Sequence, residues 1–326
     1  MDIAVIRRNG LGDLLCAYPL ILYLQKKFQD ASITLFIDQR NAPLIPYLPS
    51  VTQVVVFPAK GNKYWNLFKT SWPYRKKFDL AISAKTSPMK LNNFFLYCLK
   101  AKERVAYVDK SWHAHLVNRP IPYNPVKAKQ LHQALKGLQT MAPELQDIPQ
   151  ELYPRLHVPQ EIKNRYSTKR FSPHPIVLVS ATTTKPSNRL DSDRYASLLN
   201  RLHSLSPISV RIIGQKDDRL RADAIAMKLQ MEAHVHFPRN FDEFMVLLDA
   251  SDIFFVGDGG VAHIGAALGK NVVALYGETN PEEWRPLSKT AEIFYHPIHV
   301  DRLQTQAIFE ALKRNLEEFR CGRDNL

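Results

Sequence analysis

The stretch Ile3-Ala4-Val5-Ile6-Arg7-Arg8-Asn9-Gly10-Leu11-Gly12-Asp13 decides the fold of the amino-terminal half. It opens with a short apolar run typical of a buried strand and passes through a turn with two glycines. It then enters residues 13–28, whose apolar positions recur at helical spacing. A strand, a glycine turn and a helix in this order predict the first unit of an α/β domain. The missing side chains in the turn let a ligand approach the backbone at the carboxyl end of the strand.

The same alternation continues along the chain and then restarts. Strand-length apolar runs follow at residues 33–37, 54–57, 80–82 and 105–107. Between 118 and 175 the chain is rich in proline, with little strand signal beyond 156–158. The second half has predicted strands at 176–179, 210–213, 235–237, 253–256 and 272–276, alternating with predicted helices at 192–204, 217–230, 241–250 and 261–268.

These patterns predict an α/β protein of two doubly wound, Rossmann-like domains. We expect the first domain over residues 1–165 and the second over 172–303. Residues 304–326 carry apolar positions at helical spacing and predict a final helix that packs on one of the domains, with the first domain as the candidate.

The chain is strongly basic, and the excess is concentrated in one stretch. Its 44 Lys and Arg against 31 Asp and Glu give a net charge of +13. Residues 60–104 hold eleven basic side chains against two acidic ones, interleaved with aromatic residues; we call this stretch the basic cluster. It suits anionic lipid headgroups, an anionic glycan or nucleic acid, and the alternative is a solvated surface above an aromatic core.

Composition also bears on compartment and metal chemistry. The apolar runs are too short to span a bilayer, and Arg7 and Arg8 follow the first apolar run, the reverse of a secretory signal. Cys16, Cys98 and Cys321 are far apart and lack CxxC spacing. We therefore expect a cytoplasmic protein with no disulfide framework, no zinc site and no bound metal.

Two further constellations carry chemistry beside Asp13, which is either a general base or a helix cap. Residues 179–189 form a strand leading into a hydroxyl-rich turn, where Thr182, Thr183, Lys185 and Arg189 offer the donors and charge that a diphosphate needs. A turn of this type also occurs before helices without any ligand.

The other constellation is Gly257-Asp258-Gly259-Gly260-Val261-Ala262-His263. Glycines at a helix start expose backbone amides at the positive end of the helix dipole, which predicts an anion site. His263 alone is more typical of a structural histidine, but beside a carboxylate and an anion-binding turn it becomes a site candidate. Asp217 and Asp218 follow another predicted strand and are candidates for a ribose contact or for helix capping.

Together these motifs resemble the lipopolysaccharide heptosyltransferases, glycosyltransferase family 9. The resemblance rests on Asp258-Gly259-Gly260 with His263, a small-residue helix ending at Gly269, the strand at 272–276, the loop Gly277-Glu278-Thr279-Asn280-Pro281, and Gly10-Leu11-Gly12-Asp13. It implies the GT-B architecture, in which two Rossmann-like domains face a central cleft, with the first domain binding the acceptor and the second the nucleotide sugar.

The resemblance further implies an inverting, metal-independent transfer of heptose from ADP-heptose to the lipopolysaccharide inner core. Asp13 then becomes the base, and Thr182 and Thr183 the phosphate-contacting turn. One departure stands out: Asn188 occupies the position of a family lysine, with Lys185 and Arg189 as the nearest replacements.

The expected partners are an ADP-sugar donor and an anionic lipopolysaccharide acceptor, with peripheral contact to the inner membrane and no nucleic acid or further cofactor. Three alternatives stay open at this point. A nucleotide-sugar epimerase shares the architecture, and a non-catalytic protein that binds an anionic glycan would explain the charge. An NAD-dependent dehydrogenase is disfavoured because Leu15 stands where the third glycine of the dinucleotide fingerprint belongs, although Asp38 stands where a ribose partner is expected.

Overall fold

The computed structural model describes residues 1–49, 53–166, 171–183 and 185–324, with side chains up to residue 321. The chain divides into two compact units, Met1–Arg155 and Leu156–Leu326. Among the described residues, no helix combines the length and the apolar composition needed to cross a membrane.

The first unit is built on one six-stranded parallel sheet. Its elements are β1 (Asp2–Arg7), α1 (Leu11–Lys27), β2 (Ser32–Asp38), β3 (Gln53–Phe57), α2 (Lys63–Ser71), β4 (Leu80–Ser83), α3 (Lys90–Leu99), β5 (Glu103–Val108), β6 (Arg119–Pro122), α4 (Pro125–Ala128) and α5 (Gln133–Gln139). The strand order is β3-β2-β1-β4-β5-β6. The direction of winding reverses between β1 and β4, and ligands of such sheets bind outside the carboxyl ends of the strands at that switch point.

The second unit repeats this topology. Its elements are α6 (Gln160–Tyr166), β7 (Ile176–Ser180), α7 (Ser192–Leu205), β8 (Ser209–Ile213), α8 (Arg219–Ala226), β9 (Ala233–His236), α9 (Phe241–Asp249), β10 (Ile253–Gly257), α10 (Gly260–Ala267), β11 (Asn271–Tyr276), α11 (Pro281–Trp284), β12 (Ala291–Tyr295) and α12 (Thr305–Asp324). The strand order is β12-β11-β10-β7-β8-β9, so the switch point lies between β7 and β10.

Continuous apolar runs become central strands because helices cover both faces of a parallel sheet. Every residue of β7 and β10 is buried. In the first unit, Phe36 of β2 contacts Phe57 and Phe95 at ring-centroid distances of 6.2 and 4.9 Å, so Phe95 of α3 packs on aromatic side chains of the sheet.

Of the four edge strands in the described part of the chain, β6 and β12 were not predicted from the sequence. β6 contains Pro120 and Pro122, which an edge strand accommodates because it pairs on one side only. β12 interrupts its apolar run with Glu292 and is only partly buried. The predicted strand at 156–158 is wrong: that segment is irregular, although the Leu156 N–H donates to the Ala267 carbonyl at 2.8 Å.

The last helix requires a correction to the expectation that it packs on the first unit. Ile308, Leu312 and Leu316 of α12 are buried in the same apolar cluster as Val273 and Leu275 of β11, within the second unit. The apolar stripe of α12 covers this face of the second sheet, so burial of that stripe fixes the helix there.

Candidate active site

Asp13 lies in the first turn of α1, at the switch point of the first sheet. Its carboxylate accepts a hydrogen bond from the Gly10 N–H at 3.2 Å and forms a short ion pair with the Arg7 guanidinium. Arg7 is 1% exposed and also donates to the Ala84 carbonyl at 2.6 Å, whereas the Asp13 side chain is 20% exposed. Asp13 therefore caps its helix, as one interpretation predicted, while its carboxylate stays fixed in orientation and accessible from solvent.

Lys85 belongs to the basic cluster in sequence, but the structure places it near Asp13. It follows β4, the neighbour of β1, and it is only partly exposed. Burial lowers the pKa of the Lys85 ammonium, repulsion from Arg7 lowers that pKa further, and attraction to Asp13 opposes both effects. The sequence analysis did not identify Lys85 as a neighbour of Asp13, although its position just after a central strand was the available signal.

Asp38 shapes the glycine turn instead of standing free for a ribose. One carboxylate oxygen accepts from the Arg8 Nε at 2.9 Å, and the other accepts from the Asn9 N–H at 3.2 Å. Asn9 adopts a positive φ of 90°, a conformation that asparagine tolerates better than most residues. These contacts disfavour the dinucleotide interpretation, because the acidic residue that it needs already has protein partners.

In the second unit, Asn188 joins three loops at the carboxyl edge of the sheet. It is completely buried; its Nδ2 donates to Asp258 Oδ2 at 3.1 Å, and its Oδ1 accepts from the Gly277 N–H at 2.7 Å. These loops follow β7, β10 and β11, so a single amide ties together the segments around the switch point.

Two glycines allow this close packing. A Cβ on Gly257 would lie 2.5 Å from the Asn188 carbonyl oxygen, and a Cβ on Gly277 would lie 2.4 Å from the Ser187 carbonyl oxygen. Both contacts are with backbone, which has little freedom to move away. Only glycine therefore fits at these positions, and this explains two glycines to which the sequence analysis assigned no role.

Asn188 was predicted to occupy the position of a donor-binding lysine. In the structure its side chain instead forms hydrogen bonds within the protein. Of the two cations proposed to replace that lysine, Arg189 donates to Thr183 Oγ1 at 3.2 Å and to the Thr183 carbonyl at 3.3 Å. Lys185 is exposed, with its Nζ 3.9 Å from a carboxylate oxygen of Glu278. Arg189 is thus held against Thr183 within the turn, whereas Lys185 is directed to the loop after β11.

Thr182 and Asp218 connect the loops after β7 and β8. The Thr182 hydroxyl donates to the Asp218 carboxylate in a short hydrogen bond and accepts from the Gln215 N–H at 3.0 Å. Asp218 also accepts from the Gln215 N–H at 3.2 Å, which is a capping contact. Asp217 is exposed beside it. The neighbouring Thr184 of the predicted turn lies outside the described residues.

The amino terminus of α10 completes this edge of the sheet. The helix begins at Gly260, and Gly259 before it has a φ of 158° with open space where a Cβ would lie. The first backbone amides of a helix lack intrahelical partners and point along the positive end of its dipole. His263, one turn inside the helix, is 7% exposed. The switch point between β7 and β10 is thus surrounded by Asp258, Gly259, Gly260, His263, Thr183 and Asn188. An anion is the ligand to which such a helix terminus is suited.

Across the described residues, no group of three or more His, Cys, Asp or Glu side chains comes together in a way that suits a metal ion. Among the described residues, Cys16, Cys98 and Cys321 are not linked by disulfide bonds.

Comparison with known proteins agrees with the resemblance seen in the motifs. Residues 74–312 match the family model described as "Glycosyltransferase family 9 (heptosyltransferase)". The lipooligosaccharide heptosyltransferase 2 of Haemophilus influenzae is 24% identical, over 90% of this chain and 88% of the relative. The lipopolysaccharide heptosyltransferase 2 of Escherichia coli is 26% identical, over 91% and 90%. The solved structure of E. coli ADP-heptose lps heptosyltransferase II has a TM-score of 0.80 at 21% identity and covers 98% of this chain and 99% of that one, which shows the same fold.

Proposed function

Since this chain belongs to glycosyltransferase family 9 and is a glycosyltransferase of the heptosyltransferase type, we propose that it transfers a heptose from ADP-heptose to the lipopolysaccharide inner core, with inversion and without a metal ion. The names of its relatives support lipopolysaccharide as the acceptor and heptose as the sugar. The observation that carries the proposal is the set of loops tied by Asn188 around the amino terminus of α10.

The proposed donor site uses backbone more than side chains. The amides at Gly259 and Gly260 bind the diphosphate, the dipole of α10 favours its negative charge, and His263 lies one turn away to share in that stabilisation. Arg189, held against Thr183, supplies a cation from the loop after β7. This arrangement replaces the lysine that the family pattern places at Asn188.

The ribose is assigned to Asp217. Its neighbour Asp218 is engaged by Thr182 and Gln215, whereas Asp217 is exposed directly after the same strand. A carboxylate after the second strand of a Rossmann-like domain is well placed to accept from ribose hydroxyls.

The proposed reaction is a single displacement at the anomeric carbon. The acceptor oxygen forms a bond to that carbon as the bond from the carbon to the diphosphate oxygen breaks, and ADP leaves with the electron pair. Asp13 takes the proton of the acceptor hydroxyl. Arg7 and Gly10 hold one carboxylate oxygen each, which fixes the direction of the base.

The acceptor is lipid-linked and anionic, so we place the enzyme on the cytoplasmic side of the inner membrane in peripheral contact with it. The basic cluster supports this assignment, because positive charge attracts both the acidic core sugars and anionic lipid.

Product analysis tests the chemistry. We expect NMR of the product to show a new glycosidic bond of anomeric configuration opposite to that of the donor, at a rate unchanged by EDTA. Retained configuration would exclude single displacement, and loss of activity in EDTA that Mg²⁺ restores would overturn metal independence.

A further inference from the structure

Exposed aromatic side chains are concentrated on one part of the first unit. In the described chain the exposed aromatic residues are Tyr64, Trp65, Trp72, Tyr97 and Trp112, together with Tyr295 in the second unit. Trp65, Trp72 and Trp112 are 54%, 59% and 58% exposed. Single exposed aromatic residues are ordinary, but adjoining ones mark an interaction surface.

Ring contacts join these residues along α2 and the turn that follows it. The centroids of Trp65 and Phe68 are 5.6 Å apart, and those of Phe68 and Trp72 are 5.4 Å apart. The Asn62 side chain accepts hydrogen bonds from the Tyr64 and Trp65 amides at 3.0 and 3.1 Å, which fixes the first turn of this helix.

A second set of contacts extends the surface to α3 and to the turn after β5. The Tyr64 and Phe94 centroids lie 5.2 Å apart. Lys90 Nζ lies 5.6 Å from the ring centre of Tyr64 and 5.1 Å from that of Trp112. Residues 64, 65, 68, 72, 90, 94 and 112 therefore form a continuous surface, which we call the aromatic band.

Cations lie directly against the rings of the aromatic band. Lys69 Nζ is 5.2 Å from the ring centre of Trp65, and the Arg75 guanidinium carbon is 5.3 Å from that of Trp72. Lys76 and Lys77, which are exposed, follow in sequence. The surface thus combines indole rings with a local excess of positive charge.

These aromatic side chains are not required by the core beneath them. α2 and α3 bury Leu67, Phe95, Leu96 and Leu99 on the first sheet, in the cluster that contains Phe36 and Phe57, and direct Trp65 and Tyr97 outward. A helix pair that needed only solubility would carry polar residues there.

We propose that the aromatic band docks the protein on an anionic lipid bilayer. Tryptophan and tyrosine prefer the interface between headgroups and acyl chains, and each Lys or Arg beside an anionic membrane adds about fivefold in affinity. Nucleic acid is disfavoured because cations such as Lys69, Arg75 and Lys90 already lie over the ring faces on which bases would stack. This inference rests on the peripheral membrane contact of the proposed function and names the surface that makes it, but it depends on neither the donor nor the sugar, so vesicle binding tests it separately from heptose transfer.

Vesicle binding tests the proposal on the full-length protein. We expect co-sedimentation with vesicles that contain phosphatidylglycerol, weaker binding as salt is added, and little binding to pure phosphatidylcholine. Brominated acyl chains should quench tryptophan fluorescence, since the indoles would enter the interface.

The test variants separate the rings from the charges. Replacing Trp65, Trp72 and Trp112 with Ala should lower vesicle affinity at least about tenfold and abolish quenching, with the circular dichroism spectrum unchanged. Replacing Lys69, Arg75 and Lys90 with Gln should also lower affinity and remove most of its salt dependence. Trp284→Phe, which removes the tryptophan of the second unit, is the matched control and should bind as the wild type does.

Three results would overturn the proposal. They are no binding to phosphatidylglycerol vesicles, equal binding by the triple tryptophan variant while it remains folded, and tight binding of single-stranded DNA without vesicle binding. The last result would assign the aromatic band to nucleic acid.

Discussion

The two hydrogen bonds of the Asn188 side chain predict how much stability the second unit loses when this amide is removed. Asn188→Ala removes the donor to Asp258 and leaves the buried Gly277 N–H without its acceptor. A hydrogen bond to a charged group contributes about 1.5–3 kcal/mol, and a buried orphaned amide costs about 1–3 kcal/mol. Because Asp258 is partly exposed and can be rehydrated, we expect the free energy of unfolding of the second unit to fall by about 2–4 kcal/mol.

Ser187 offers a matched control next in sequence. Its hydroxyl is buried, and within the described part of the chain it has no hydrogen-bond partner. Ser187→Ala should therefore change the stability of the second unit by less than about 1 kcal/mol or raise it. Both substitutions remove polar atoms from the same turn, so a difference between them isolates the hydrogen bonds of the amide.

Urea unfolding followed by the fluorescence of Trp284 measures this effect, in a background where Trp65, Trp72 and Trp112 are Phe. Trp284 ends the helix that follows the Gly277 loop, so it reports on the second unit. Calorimetric titration with ADP should show a loss of affinity on the order of tenfold in Asn188→Ala, since the three loops lose their fixed arrangement. Equal stability of the two alanine variants, or unchanged ADP affinity in Asn188→Ala, would refute the claim that the Asn188 hydrogen bonds hold the three loops in place.

Three further outcomes are expected. Asp13→Asn should lower turnover by at least about two orders of magnitude while ADP affinity stays constant, and a folded variant with wild-type turnover would remove Asp13 from catalysis. Gly260→Val should weaken ADP binding in calorimetry by blocking the backbone, and AMP should bind the wild type less well than ADP; equal AMP and ADP affinities count against the diphosphate site. Replacing Arg75, Lys76 and Lys77 with Glu should raise the KM for a lipid-anchored acceptor and leave ADP affinity unaffected, and added salt should raise the same KM in the wild type. Steady-state kinetics at two ionic strengths measure this effect. An unchanged KM would mean that these charges serve solubility alone.

The central strands of both sheets were predictable, because strands buried on both faces carry continuous apolar runs such as residues 176–179 and 253–256. The edge strands β6 and β12 lack this signal because an edge strand is paired on one side only and its faces are less covered, whereas the edge strands β3 and β9 keep short, mostly apolar runs and were predicted. The two prolines in β6 and the glutamate in β12 are compatible with an edge position, but they interrupt the apolar pattern by which a strand is recognised in the sequence.

The backbone geometry at the candidate site was predictable where a local motif fixes it, whereas contacts between residues far apart in sequence were not. The glycines before α10 were predicted at a helix start, and the structure has the helix begin there. The role of Asn188 depends on Asp258 and Gly277, which are 70 and 89 residues away, and no local pattern encodes such a pairing. Lys85 likewise comes near Asp13 only because β4 pairs with β1.

Incubation with ADP-heptose and truncated inner-core acceptors, followed by mass spectrometry, tests the central claim most directly. We predict that the acceptor mass rises by one heptose residue, that ADP is released in equal amount, and that Asp13→Asn does neither at a comparable rate. An acceptor that gains no mass, or that gains a sugar only from a donor with another nucleotide, would contradict the proposed heptose transfer from ADP-heptose.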